Sequence, residues 1–252
     1  MAQAGKRGSS KRSARAGSKG KAKAGWGRWL FRLAAVLFLG VTAFAAWFWW
    51  DMREWRPSAE LYPEQGAVIA TGTAGTRFET LAAIGAQFVY LELTGASQTP
   101  DPGFASRLDA AREAGVRIGV IYPFDPCLRA DPQSARFTRM VPRDTELLPP
   151  AIALDAVADG CNPAVTDAAV ESELMTLVNQ IESHAGRPVI LKISAGFEDR
   201  HGTARNTARD LWLERDRARP DYAGRPWLLW SANSQLVSEA SVDPVEWVVV
   251  QR

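Results

Sequence analysis

The 252-residue chain carries 30 Lys+Arg against 28 Asp+Glu, a near balance that hides a split. Residues 1–32 hold ten basic groups and no acid, which leaves 20 basic against 28 acidic residues in 33–252, a net of −8. The two parts therefore face different partners, and two histidines with two cysteines are too few for a His/Cys metal cluster, so no metal is expected.

Apart from Met1 and Gln3, residues 1–25 are Gly, Ala, Ser, Lys and Arg with almost nothing to bury, so this tail is expected to be disordered. A nucleic-acid-binding arm is one reading of such a run. Topogenic charge is the reading adopted, because an apolar segment follows and no nucleic-acid partner is expected. From Leu33 to Trp50 eighteen residues carry no charge. At about 1.5 Å per residue they span about 27 Å, close to the hydrocarbon thickness of a bilayer. Trp26 and Trp29 before the span and Trp47, Trp49 and Trp50 at its end suit the two headgroup levels. A cleavable signal is the rival, since Ala43-Phe44-Ala45 has small-x-small spacing. The expected organisation is a basic cytoplasmic tail over 1–25, a transmembrane helix over 26–50, a juxtamembrane linker over 51–61 and an exported domain over 62–252.

In the exported part, strand-like apolar runs alternate with helical patterns. Gly66–Ala70 reads as a buried strand, Phe78–Ile84 as a helix stopped by Gly85, and Gln87–Leu93 as a second strand. Phe104, Leu108 and Ala111 share a helix face capped by Gly115, and Val116–Tyr122 is the third strand. Ala135–Met140 is a short helix candidate, and Pro149-Pro150 introduces the strand Ala151–Leu154. Val170, Leu174, Leu177, Val178 and Ile181 form one stripe of a long helix stopped by Gly186, and Pro188–Ser194 is the next strand. Arg205–Arg217 has helical composition, and Pro226–Ser231 and Val245–Val250 close the chain as strands. This alternation favours parallel pairing in an α/β fold, a β/α barrel of TIM-like, irregular type rather than an open sheet. No Gly-rich phosphate loop interrupts it, and no cofactor is expected.

In such a barrel, reactive groups stand at the C-terminal ends of strands. Glu92 ends the second strand, Asp125 follows the third and Asp155 follows the fourth. Two carboxylates across a cleft are the minimum for glycosidic hydrolysis, although each is alternatively a solvated loop acid. Tyr122, Trp227 and Trp230 offer sugar-stacking faces or, alternatively, barrel core. Cys127 and Cys161, if exported and paired, close a loop of about 35 residues worth roughly 3 to 4 kcal/mol; two unpaired buried thiols are the alternative.

The order of these pieces resembles the glycoside hydrolase family 25 muramidases, which cut the glycan strand of peptidoglycan. The resemblance runs through YPEQG at Tyr62, LAAIGAQFVYLELT, DPGFASRLDAAREAGVRIGVIYPF and the VPRDTELLPP approach to the fourth strand, and more loosely through RPVILKI, WLLWS and PVEWVVV. It implies peptidoglycan or another envelope glycan as partner, and a bond between Cys127 and Cys161 as in a bacterial subset of that family. It also exposes departures. The position of the family's first-strand aspartate is Val68, and its Asp-x-Glu pair becomes Ala153 and Asp155. Its C-terminal Trp-Gln and Val-Asp-x-Asn become Trp230-Ser231 and Val245-Glu246-Trp247-Val248. Asp155 then reaches about 1.5 Å less far than a Glu, a misplacement that can cost about a hundredfold. These departures imply that Asp155 lacks both a raised pKa and an assisting carboxylate, with Glu92 as the one substitute nearby.

Three functions follow from this reading. The first is a catalytically silent barrel that binds envelope glycan or a cell-envelope protein from the bacterial inner membrane, N-terminus in the cytoplasm and domain outside it. The second is a working peptidoglycan hydrolase using Asp155 with Glu92 or Asp125. The third is a scaffold for other inner-membrane proteins, with the lipid bilayer a partner in every case.

Overall fold

The computed structural model describes residues 22–251 and divides the chain into two compact units, one ending at Trp50 and one spanning Asp51–Arg252. The basic tail on which disorder is expected lies, up to residue 21, outside the described residues.

The first unit is the body of helix α1 (Ala22–Glu54). Its Trp29–Glu54 portion is long and apolar enough to cross a membrane, a property it shares with signal sequences. The side chains of Phe31, Leu37, Phe38, Leu39, Phe44 and Trp47–Trp50 are exposed. The hydroxyl of Thr42, polar in an apolar stretch, donates back to Phe38 O at 2.9 Å and to Leu39 O at 3.0 Å, so it is satisfied within the helix.

The second unit is a closed eight-stranded barrel with strands in sequence order. They are β1 (Gln65–Ile69), β2 (Phe88–Glu92), β3 (Arg117–Pro123), β4 (Ala151–Leu154), β5 (Ile190–Ile193), β6 (Asp210–Glu214), β7 (Leu229–Leu236) and β8 (Val245–Val250). The first seven run parallel, whereas β8 is antiparallel to both β7 and β1, so closure is irregular. Helices α2 (Phe78–Ala83), α3 (Phe104–Glu113), α4 (Ala130–Met140) and α5 (Asp167–Ala185) connect the first five strands, and α6 (Ala195–His201) and α7 (Thr203–Asn206) lie between β5 and β6. Two apolar clusters result. One packs the helices on the outer faces of the strands, and the other, including Val68, Phe88, Tyr90, Ile121, Ala153 and Trp212, fills the barrel. Gly119 on β3 is required there, since a Cβ would lie 2.3 Å from the Tyr90 ring.

The expected helix over Arg205–Arg217 is corrected. Its centre is β6, in which Leu211 and Leu213 join the outer cluster and Trp212 the inner one. Its flanks, rich in Arg and Asp, hide this short period-2 pattern. The segment between the strand ending at Ser194 and Arg205, for which no element was expected, holds α6: Ser194 Oγ accepts from Phe197 N at 3.2 Å, and Gly202 ends the helix with φ 61°.

No helix follows β6 or β7, and the outer face of the last strands is covered instead by residues 52–62. Trp55 and Tyr62 pack on Trp230 with ring centroids 6.5 and 5.6 Å apart, and the Arg56 guanidinium lies 5.0 Å from the Trp247 ring. Asn233, fully buried, donates to Trp55 O at 2.9 Å. The segment read as a linker is thus helical to Glu54 and then lies against the barrel.

Candidate active site

The polar groups of the barrel interior gather at the C-terminal ends of the parallel strands. Lys192, third residue of β5 and buried, stands between two carboxylates. Its Nζ is 2.6 Å from Glu214 Oε1 at the end of β6 and 3.1 Å from Glu246 Oε2 on β8. Because β8 is antiparallel, its first residues lie at this same end of the barrel. Ser231 on β7 donates from Oγ to Glu246 Oε1 and accepts from Trp212 Nε1 at 2.7 Å. The Trp212 ring lies 5.5 Å from Lys192 Nζ and packs edge-on against Tyr90 at 4.9 Å. Tyr222 braces the wall, accepting from Glu214 N at 2.9 Å and donating to Ile193 O at 2.5 Å.

Glu92 and Asp155 complete the group, both interacting electrostatically with Lys192 and Glu246 and with each other. Four carboxylates therefore surround one ammonium. Burial raises the Glu92, Asp155 and Glu214 carboxyls above the ordinary carboxylate range, and Lys192 lowers each only partly, with Glu246 pushing them up again. Asp155 is solvent-exposed just beyond the end of β4, and desolvation by the protein around it still raises its carboxyl. For Lys192 burial acts downward, but Glu246 and Glu214 outweigh it and hold the ammonium well above the usual lysine range. The site is a charge network with surplus acid.

The expectation that Asp155 lacks a raised pKa does not hold, since burial moves its carboxyl upward, with Glu246 and Glu92 adding to the shift. The positions implied to have lost acids, Val68 and Ala153, are apolar and buried in the barrel, and they are register partners of Glu246 and Lys192. Charged side chains thus stand one strand over from both positions. Asp125 lies outside this group, capping its own loop by accepting from Cys127 N at 3.0 Å. The stacking roles offered by Tyr122, Trp227 and Trp230 are corrected as well. All three are buried in the outer cluster, Tyr122 edge-on to Phe137 and Trp230 donating from Nε1 to Arg215 O at 2.8 Å. Alternation sends Tyr122 and Trp230 away from the mouth, and Tyr90 and Trp212 point inward in their place. Lys192 and Glu214 were missed by sequence reasoning. A single lysine inside the apolar run PVILKIS was the available signal for the first, and the misread β6 hid the second.

The rim is pinned in two places. Cys127 and Cys161 form a disulfide, Cα–Cα 5.2 Å, joining the loops after β3 and β4. Asp101 accepts from Gly72 N at 2.9 Å and Gly103 N at 2.8 Å and pairs with Arg107 at 2.5 Å, tying the β2–α3 loop to the β1–α2 loop. Its carboxyl is held down at about 2, mainly by the Arg107 hydrogen bond. Among the described residues no group of three or more His, Cys, Asp and Glu has a metal-binding arrangement, since Lys192 occupies the space between the acids.

Solved structures share this fold. A family 25 glycosyl hydrolase from Bacillus anthracis superposes with a TM-score of 0.69 at 21% identity, covering 77% of this chain and 91% of that one. The bacterial lysozyme from Streptomyces coelicolor gives 0.66 at 14% identity over 75% and 92%, and a family GH25 lysozyme from Aspergillus fumigatus 0.61 at 18% over 75% and 94%. No curated protein matches the sequence. The model of the family described as Glycosyl hydrolases family 25 matches residues 69–238, beginning just after Val68 and stopping short of Glu246. With the family model matching more than half of the chain, the chain belongs to glycosyl hydrolase family 25.

Proposed function

We propose that this protein is a membrane-anchored lysozyme-like domain that binds peptidoglycan or a related envelope glycan and has lost normal muramidase catalysis. The observation that carries the reading is the Lys192 ammonium, clamped by Glu214 and Glu246. Glycosidic cleavage builds an oxocarbenium-like cation, which needs unpaired negative charge. Here a fixed cation stands among the acids, and Val68 and Ala153 carry no charge at all. The mouth retains polar groups for sugar hydroxyls, and those groups suit binding without cleavage.

The same proposal divides the chain into a cytoplasmic tail (1–25), a membrane span (26–50), a juxtamembrane segment (51–61) and an extracytoplasmic domain (62–252). Ten basic residues before the span favour an inside N-terminus, and a disulfide in the domain suits an oxidising compartment.

A second reading, an active hydrolase, draws on the raised carboxyl of Asp155, since a general acid must hold its proton near neutrality, with Glu92 as the second acid. Incubation of the protein with purified peptidoglycan separates the readings. Co-sedimentation without release of reducing ends is the expected result. Robust release abolished by Asp155→Asn overturns the silent-enzyme reading, and neither release nor sedimentation points to a scaffold for other membrane proteins.

A further inference from the structure

The candidate site and the chain leaving the anchor are fixed to the same end of the barrel. Arg217, three residues beyond Glu214, donates from Nη2 to Met52 O at 2.6 Å. Val237 N, at the end of β7, donates to Arg53 O at 3.1 Å, and Asn233 donates to the same oxygen at 3.5 Å and to Trp55 O at 2.9 Å. The receiving rim is itself ordered, since Arg215 N and Arg217 N donate to Ser231 O and Ala232 O at 3.2 and 2.7 Å. All these residues belong to the Asp51–Arg252 unit.

Covalent reach then bounds the tether. Asn233 lies two residues beyond Ser231, which binds Glu246, and Arg53 lies three residues beyond Trp50. Two chain residues, one side-chain hydrogen bond and three helical residues sum to about 20 Å, or about 30 Å at full extension, whichever way the helix runs. A site on so short a tether stays within about 30 Å of the end of the span. Glycan within that reach that is carried on a lipid is confined there with it, at high effective concentration. The loop that receives Met52 also exposes Arg215, Arg217 and Arg219 against Asp216 and Asp221, a net charge of +1, and with Arg215 paired to Asp221 at 2.7 Å and Arg217 bound to Met52 O, Arg219 is the guanidinium left to meet a lipid phosphate.

We infer that the mouth takes amino-sugar glycan still carried on a membrane lipid through phosphate, rather than glycan of a wall standing clear of the bilayer; this rests on the anchor and glycan-binding readings above. The test places the full chain in vesicles with a fluorescent polyprenyl-diphosphate-linked N-acetylglucosaminyl-N-acetylmuramyl peptide. A variant carries a 30-residue helical (EAAAK) spacer between Trp50 and Asp51, which lifts the domain by about 45 Å. The expected result is at least a tenfold loss of binding to the lipid-linked probe, with binding of the same disaccharide-peptide freed of lipid unchanged. Equal binding of the lipid-linked probe with and without the spacer overturns the inference and leaves the glycan-binding reading standing. Binding of neither probe removes both.

Discussion

Replacing Lys192 by Met deletes the one cation of the mouth while keeping the length of the side chain. Glu214 and Glu246, 2.6 and 3.1 Å from Nζ, then face each other, and Asp155 and Glu92, across low-dielectric walls. Removing one partner of a buried ion pair costs about 3 to 5 kcal/mol, because the other charge is left uncompensated. The carboxyls can escape part of that cost by taking up protons. Burial already raises Glu92, Asp155 and Glu214, and losing the lysine raises them further. A raised carboxyl in the folded state opposes folding increasingly as pH climbs above the unfolded value of about 4.3. Lys192→Met should therefore cost about 3 to 5 kcal/mol at pH 8 and clearly less at pH 5, whereas the parent keeps its ammonium across that range. Urea unfolding of the full chain in detergent at both pH values, disulfide intact, reads the difference. A triple variant with Glu214→Gln and Glu246→Gln should recover most of the loss. A pH-independent cost, or one below about 1 kcal/mol, would refute the view that the lysine balances a surplus of acid.

Cys127→Ser with Cys161→Ser should lower stability by about 3 to 4 kcal/mol, with the parent losing a similar amount in reductant; equal unfolding curves with and without reductant would contradict it. Asp101→Asn should cost about 2 kcal/mol near neutral pH. The folded carboxyl, at about 2, lies below the unfolded one, so this contribution is present above about pH 4 and fades as pH falls through 2, and the variant's deficit measured by thermal unfolding should vanish over that window. For topology, a C-terminal reporter that works only in the cytoplasm should stay silent; an active one reverses the proposed orientation.

The sequence alone carried the apolar span, seven of the eight strands, the long helix stopped at Gly186 and the pairing of Cys127 with Cys161, once the resemblance to family 25 was seen. The span, the strands and the helix are written in neighbouring residues, as an uninterrupted apolar run, a short branched stretch or a glycine stop, whereas the cysteine pairing came from the resemblance alone. It also marked Glu92 and Asp155, because strand ends are legible locally. Tertiary structure alone decided what surrounds them. Lys192 looks like one charge in an apolar strand, Glu246 like a conservative change, and Glu214 lay in a segment of helical composition. Only barrel closure, with β8 turned antiparallel, brings the three from β5, β6 and β8 within salt-bridge distance. The same closure turned Tyr122 and Trp230 outward and Tyr90 and Trp212 inward, since the face a strand residue takes follows from register with its neighbours. Protonation in the mouth was illegible for the same reason: a carboxyl's proton affinity depends on burial and on charges brought from distant parts of the chain, and neither exists until the barrel is closed.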